Sequence, residues 1–235
     1  MSPTKTTPRR TSARAQSPPV PREERRVVHD ASWDFYDRLS DAIETRSIRM
    51  AFDGKDIEIM TLGGGHEGIG GLLRQFIDLV MDGIEVDCIA VGSTTWKRAE
   101  IERGIEADQS YVFDPAKIQI CRSALVRNSN NIDDYPNPDL AVEIDISPPK
   151  IDRPGIYAAL KVSELWRRDQ DGAITIEQLG DDGQYVAAKL SRFLHVRPEE
   201  VAHWLEMGAS TERGVWRRRL KEWIAKEVKP RVEHA

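Results

Sequence analysis

The sequence predicts an α/β fold with a mixed sheet, and three observations predict it. Two short β-type runs, Ile48 to Phe52 and Ile57 to Leu62, flank Asp53-Gly54, a strong hairpin signal. A long amphipathic helix follows the glycine run Gly63 to Gly65, with Ile69, Leu72, Leu73, Phe76, Ile77, Val80 and Met81 on its apolar face and Gly83 as its expected end. Further on, the compact strand Leu140 to Ile146 precedes a short helix and more strands.

Residues 1–28 are Pro, Ser, Thr and Arg with few apolar side chains, a composition expected to stay a disordered basic tail. Its basic residues have no apolar core behind them, so a secretory signal is not expected. A helix is expected over Ala31 to Ile43, from the spacing of Trp33, Phe35, Tyr36, Leu39 and Ile43. After the hairpin and the long helix come strands at Val86 to Val91 and Gly104 to Phe113, then the Leu140 strand and a short helix at Pro154 to Leu160. Leu165 to Arg168, Ala173 to Leu179 and Tyr185 to Leu190 close the sheet, and the chain from Pro198 onward is helical. One domain over 29–207 and a charged C-terminal helix over 208–235 are expected.

Charge and cysteine usage exclude several function classes. Residues 1–26 carry seven Lys or Arg against Glu23 and Glu24, net +5, which leaves −10 for the rest of a chain of net charge −5. A body this acidic is not built for tight non-specific DNA binding, but it suits a site that gathers carboxylates around a cation. No run approaches the roughly 20 apolar residues of a membrane span. Cys88 and Cys121 stand in unrelated apolar runs with no CxxC, so reduced thiols in a cytoplasmic protein are expected, with no zinc site. Gly63 to Gly71 lacks the Gly-Lys-Ser/Thr of a phosphate loop. No serine sits in a Gly-x-Ser-x-Gly elbow, and His29, His195, His203 and His234 lie in tail or helix contexts.

The informative segment is Pro138-Asp139-Leu140-Ala141-Val142-Glu143-Ile144-Asp145-Ile146. In a strand, Glu143 and Asp145 share a face with Ala141, opposite the apolar face of Leu140, Val142, Ile144 and Ile146. Two acids on so apolar a strand are costly unless something cationic meets them. Two readings stand: an edge strand with a wet face, or a seat for a hard cation, for which carboxylate oxygens are the right ligands. Asp108, expected on a strand face with Glu106 and Ser110 and opposite Ile105, Ala107 and Gln109, supplies the other half of such a site. His66 and Glu67, at the start of the long helix, stay open as neighbours of it.

From about residue 30 to 205 the chain resembles the Uma-type family of restriction-endonuclease-like proteins, abundant in cyanobacteria and other bacteria and a branch of the PD-(D/E)XK nuclease superfamily. The residues that carry the resemblance are Gly104 to Asp108, Pro138 to Asp145 and Ile156 to Arg167. The resemblance implies a restriction-endonuclease-like core with flanking helices. It implies a metal-dependent DNA endonuclease, with Asp108, Glu143 and the Ile144 carbonyl as ligands of Mg²⁺ or Mn²⁺ and with Asp145 and Arg153 completing the catalytic set. DNA is the implied partner, and a homodimer is compatible with it. This chain departs from the pattern at three places: Ala107 stands for the usual proline, Asp145 for the lysine two residues after Glu143, and Lys161 for the glycine after Tyr157. Where one branch carries a substitute lysine, four residues before the tyrosine, this chain has Arg153, and Lys150 and Lys161 are the other basic residues at hand. The alternative is a catalytically silent endonuclease-fold module that binds nucleic acid or a protein partner.

Overall fold

The computed structural model describes residues 23–43, 47–62 and 64–233. Residues 1–22 of the expected tail, Gly63 and His234 lie outside the described residues. Within them the chain forms two sheets and seven α-helices, and no described helix is long and apolar enough to cross a membrane.

The first sheet has the order β1-β3-β2-β6-β5, with β1 at Glu24–Val28, β2 at Ile48–Phe52, β3 at Ile57–Thr61, β5 at Thr95–Arg98 and β6 at Arg103–Glu106, all antiparallel. The β2–β3 hairpin turns where expected, with Gly54 at φ +94°, a conformation few other residues adopt cheaply. The second sheet has the order β11-β10-β9-β8-β7-β4. Its strands are β4 at Ile89–Ala90, β7 at Gln109–Val112, β8 at Leu140–Ile144, β9 at Glu164–Arg168, β10 at Ile174–Leu179 and β11 at Tyr185–Ala187. β8 and β9 are its parallel pair. Parallel neighbours need a crossover, which here contains the helix expected after β8.

That crossover helix is α4, Arg153–Ala159. α1 spans Trp33–Ala42, α2 Gly64–Ile84, α3 Pro115–Val126 and α5 Pro198–Ser210. α6, Arg213–Trp223, continues through a π segment, Ile224–Val228, into α7, Lys229–Glu233. Leu73, Phe76, Ile77 and Val80 of α2 pack with Leu140, Val142 and Ile144 of β8 and with Trp204, Trp216, Leu220 and Ile224 from the C-terminal helices. A second cluster, from the other face of β8, joins Ala141 to Ala51, Trp96, Ile105, Ala107, Ile156, Tyr157 and Leu165. β8 is therefore buried on both faces and central in its sheet, which removes the edge-strand reading of Glu143 and Asp145.

Four further expectations need correction. Residues 24–28 are not tail but an edge strand paired with β3 from Glu24↔Thr61 to Val28↔Ile57. Backbone pairing and a buried Arg25, rather than apolar burial, order them. The single strand expected over Gly104 to Phe113 is two strands in different sheets, broken at Ala107-Asp108, and Ile105 and Ala107 lie between the sheets beside Ala141. A boundary at 208 falls inside α5, and Trp216, Leu220, Ile224 and Val228 are buried in the main core, so the last helices belong to the domain. Gly83 does not end α2: an added Cβ would lie 2.5 Å from Ile224 Cγ2, so its role is close helix packing.

Candidate functional site

The site forms where the chain leaves one sheet for the other. The β7–β8 register pairs Gln109 with Val142, and one further step sets Asp108 opposite Glu143 on the same face. Past that point the chain departs into β6, so Ile144 N–H has no strand partner from Ala107. The Asp108 carboxylate takes that place, with Oδ2 accepting from Ile144 N at 2.7 Å. The backbone amide of Ile144 thus positions the aspartate. This explains why an acid is affordable at a strand junction whose side chain is only 4% exposed.

Around Asp108 the structure gathers the residues expected there. Glu143, 1% exposed, accepts from Tyr157 Oη on Oε1 and from Arg153 Nη2 on Oε2 at 2.5 Å. Burial pushes the Glu143 carboxyl up to about 7; Arg153 opposes this, while Asp108 and Asp145 add to it by repulsion. Asp145 accepts from Arg25 Nη2 at 2.7 Å, and its pKa is raised by burial against the pull of Arg153 and Arg25. Arg153, at the start of α4, also donates from Nη1 to Glu58 Oε1 at 3.1 Å, and its neighbouring carboxylates hold it more firmly protonated than usual despite burial.

His66 Nε2 lies 3.2 Å from Asp108 Oδ2 as an ion pair and has no hydrogen-bond partner among the described residues. Burial pulls its pKa down, but Asp108, with Glu23 and Glu143, outweighs this, and the net shift is upward. Among the described residues Asp108 Oδ1 is buried with no hydrogen-bond partner; Arg49 Nε stands 3.9 Å away and likewise has no hydrogen-bond partner among them. All three groups line one cavity of about 520 Å³, with Glu67, Gln109 and the exposed Arg74 at its wall. Arg49 is anchored by its ion pair with Glu106.

Two basic residues considered from the sequence are placed elsewhere. Lys161 is exposed at φ +59° just after α4, the left-handed position that explains a glycine there in the family pattern. Lys150 is turned to strand β1, its Nζ donating to Arg25 O at 2.7 Å and its amide to Glu58 Oε2 at 2.6 Å. Three site residues escaped the sequence reading: Arg25, Arg49 and Glu58. Glu58 had a signal, an acid inside the apolar run Ile57 to Met60, the same kind that singled out Glu143. Arg25 had none, because its partners Glu58 and Asp145 lie 33 and 120 residues away.

The donor chemistry fits a hard divalent cation. Carboxylate oxygens are its natural ligands, and Asp108 Oδ1 is an orphaned acceptor beside two further acids. Among the described residues no group of three or more His, Cys, Asp or Glu is arranged to enclose a metal ion. One or two carboxylates with the remaining ligands from water and phosphate is the habit of Mg²⁺ rather than of an all-protein cage.

Comparison with known proteins agrees with the fold. No curated protein matches the chain at a significant level. The family described as "Uma2: Putative restriction endonuclease" matches residues 33–209, a stretch that holds Asp108, Glu143, Asp145 and Arg153 but not Arg25. With three quarters of its length in that match, and with two sheets and flanking helices in keeping with it, the chain belongs to the Uma2 restriction-endonuclease-like family.

Proposed function

We propose that this protein is a divalent-metal-dependent endonuclease that hydrolyses DNA phosphodiester bonds, with Asp108 and Glu143 as the cation's protein ligands. One observation carries the reading: three buried acids, Asp108, Glu143 and Asp145, meet where β7 adjoins β8, and Asp108 turns an unpartnered oxygen to a cavity. A bound Mg²⁺ or Mn²⁺ would offset phosphate charge and make water a nucleophile near neutral pH. Asp108 is held in place by the Ile144 amide, and Glu143 by Tyr157 and Arg153, so both carboxylates are oriented before any ligand arrives. Asp145 adds negative charge beside them. Arg153 remains protonated at any working pH, so it is no proton acceptor; buried across Glu58 and Glu143, it supplies positive charge to the site from behind the carboxylates. The two free cysteines suit a cytoplasmic setting.

A second reading, a silent module that binds nucleic acid or a protein, draws on one fact. Both Glu143 oxygens and one of Asp145 are already taken by Tyr157, Arg153 and Arg25. The experiment that separates the two is incubation of the purified chain with single-stranded, double-stranded and branched DNA, with Mg²⁺, with Mn²⁺ and with chelator. Cleavage should require the metal, vanish in Asp108→Ala and fall by about 10²-fold in Arg153→Ala, the scale of losing one charge-stabilising donor. No cleavage of any of the three substrates in either metal would make the module the better reading.

A further inference from the structure

Strand β1 lies outside the family-matched stretch, yet it delivers a side chain into the acid cluster. Arg25 is 6% exposed and all three guanidinium nitrogens are engaged. Nη2 donates to Asp145 Oδ1 at 2.7 Å, Nη1 to Glu58 Oε1 at 2.8 Å and Nε to Ser147 Oγ at 3.0 Å. Nε and Nη2 also reach Glu23 Oε1, at 3.3 and 3.2 Å. Glu23 Oε1 in turn accepts from the amide and hydroxyl of Ser147, at 2.9 and 2.6 Å, so the strand's start is tied to the end of β8. Arg153 occupies Glu143 in the same manner, and Glu58 Oε1 receives both guanidiniums. Asp108 is the acid of the trio to which no guanidinium is hydrogen-bonded.

A carboxylate oxygen that holds a guanidinium nitrogen at 2.7 Å must loosen that bond to take a divalent ion at roughly 2.0–2.6 Å. The two cations draw on the same electron pairs and the same negative field.

We propose that Arg25 is a counter-cation built into the site, which competes with the divalent ion for the acid cluster through Asp145, so that strand β1 sets the ion's affinity. Arg25 is a positioning residue in this account, and the account rests on the reading of the cluster as a divalent-ion site. It separates competition from mere scaffolding. Loss of Arg25 leaves Glu58 with one guanidinium and unpins β1, so a scaffold role predicts a less stable protein with equal or weaker ion binding. Competition predicts a less stable protein with tighter ion binding, because one positive charge leaves the cluster and an Asp145 oxygen is freed.

The test is calorimetric titration of MnCl₂ into the full chain without nucleic acid, for wild type, Arg25→Gln, Arg25→Lys and Asp108→Asn. Arg25→Gln should bind at least about tenfold more tightly than wild type, some 1.4 kcal/mol. Arg25→Lys should fall between them, since lysine keeps the charge but lacks the fork that spans Glu58 and Asp145. Asp108→Asn should lose binding. Detectable binding in Arg25→Gln alone would be the strongest form of the result. Wild-type or weaker affinity in a folded Arg25→Gln overturns the proposal; if that variant does not fold, unchanged affinity in folded Arg25→Lys does so. If wild type binds in an Asp108-dependent way and the Arg25 variants do not tighten, the failure is confined to Arg25. If none of the proteins binds Mn²⁺, the divalent-ion reading fails and takes this proposal with it.

Discussion

Glu58 and Asp108 are both buried acids of one cluster, yet the structure gives them different energetic weights. Glu58 is 0% exposed and saturated, with Oε1 accepting from Arg25 and Arg153 and Oε2 from the Lys150 amide. Glu58→Ala would leave two buried guanidiniums short of a partner. Breaking a buried pair costs about 3–5 kcal/mol, and because each arginine keeps another carboxylate the low end applies, about 3 kcal/mol. For a chain of this size that is a fall in Tm of roughly 6–12 °C. Asp108 has an unpartnered oxygen and repels Glu143 and Asp145. Asp108→Asn keeps an oxygen for the Ile144 amide and trades that repulsion against the lost pull of Arg49 and His66, so stability in chelator should stay within about 1 kcal/mol of wild type, as expected of a charged functional site. Both values are read from thermal and urea unfolding of the chelated protein near pH 7.5. A loss below about 1 kcal/mol in Glu58→Ala, or an Asp108→Asn as damaged as Glu58→Ala, would refute the division into a structural and a functional acid.

Two further outcomes follow from the C-terminal helices. Trp216, 1% exposed with its indole N–H on Trp204 O at 2.8 Å, should cost about 3–5 kcal/mol as Trp216→Ala by equilibrium unfolding; a loss under about 1 kcal/mol would make these helices an appendage. Arg231 grips both Glu200 oxygens, at 2.8 and 2.7 Å, and although burial pushes that carboxyl up, Arg231 and the Arg197 amide bring its pKa below the ordinary value. A folded pKa below the unfolded one stabilises at neutral pH and loses that contribution as pH falls through the folded value. Glu200→Gln should therefore be less stable than wild type at pH 7, by under about 1 kcal/mol for a pair this close to the surface, and the gap should close in acid.

Where local periodicity and burial agree, the sequence was legible. The β2–β3 hairpin, α2, the faces of β8 and the crossover helix α4 follow from alternation, helical spacing and turn residues. The C-terminal stripe Trp216, Leu220, Ile224, Val228 is legible as well, but the adjoining Arg217, Arg218 and Arg219 make the segment look like a separate charged helix rather than part of the core. The break at Ala107-Asp108 was not, because an apolar alternation looks the same whether a strand stays in one sheet or crosses to another. Nor was β1, whose order comes from backbone pairing with β3 and from charge partners distant in the chain. At the site, Asp108, Glu143, Asp145 and Arg153 converge through the β7–β8 register and the β8–α4 crossover, both signalled locally. Arg25, Arg49 and Glu58 arrive from the other sheet, whose approach no local pattern encodes.

The arginine at 153 makes sense only with the acids that came with it. A lysine ammonium is a single point of charge, whereas the Arg153 guanidinium spans Glu58 and Glu143 with two separate nitrogens while only 2% exposed. A buried cation so placed must stay charged, and arginine does. Asp145, in the place of the family's lysine, adds a negative charge, and Arg25 from β1 answers it. The departures at 145 and 153 therefore each have an electrostatic counterpart within reach. Six acids, Glu23, Glu58, Glu106, Asp108, Glu143 and Asp145, face Arg25, Arg49, Arg153, a protonated His66 and the nearby Lys150, and the sixth negative charge is met in part by Glu143 itself, whose carboxyl burial pushes up to about 7. Asp108 remains the acid whose Oδ1 has no hydrogen-bond partner among the described residues and which lines the cavity, and it is there that an added cation would be held most strongly.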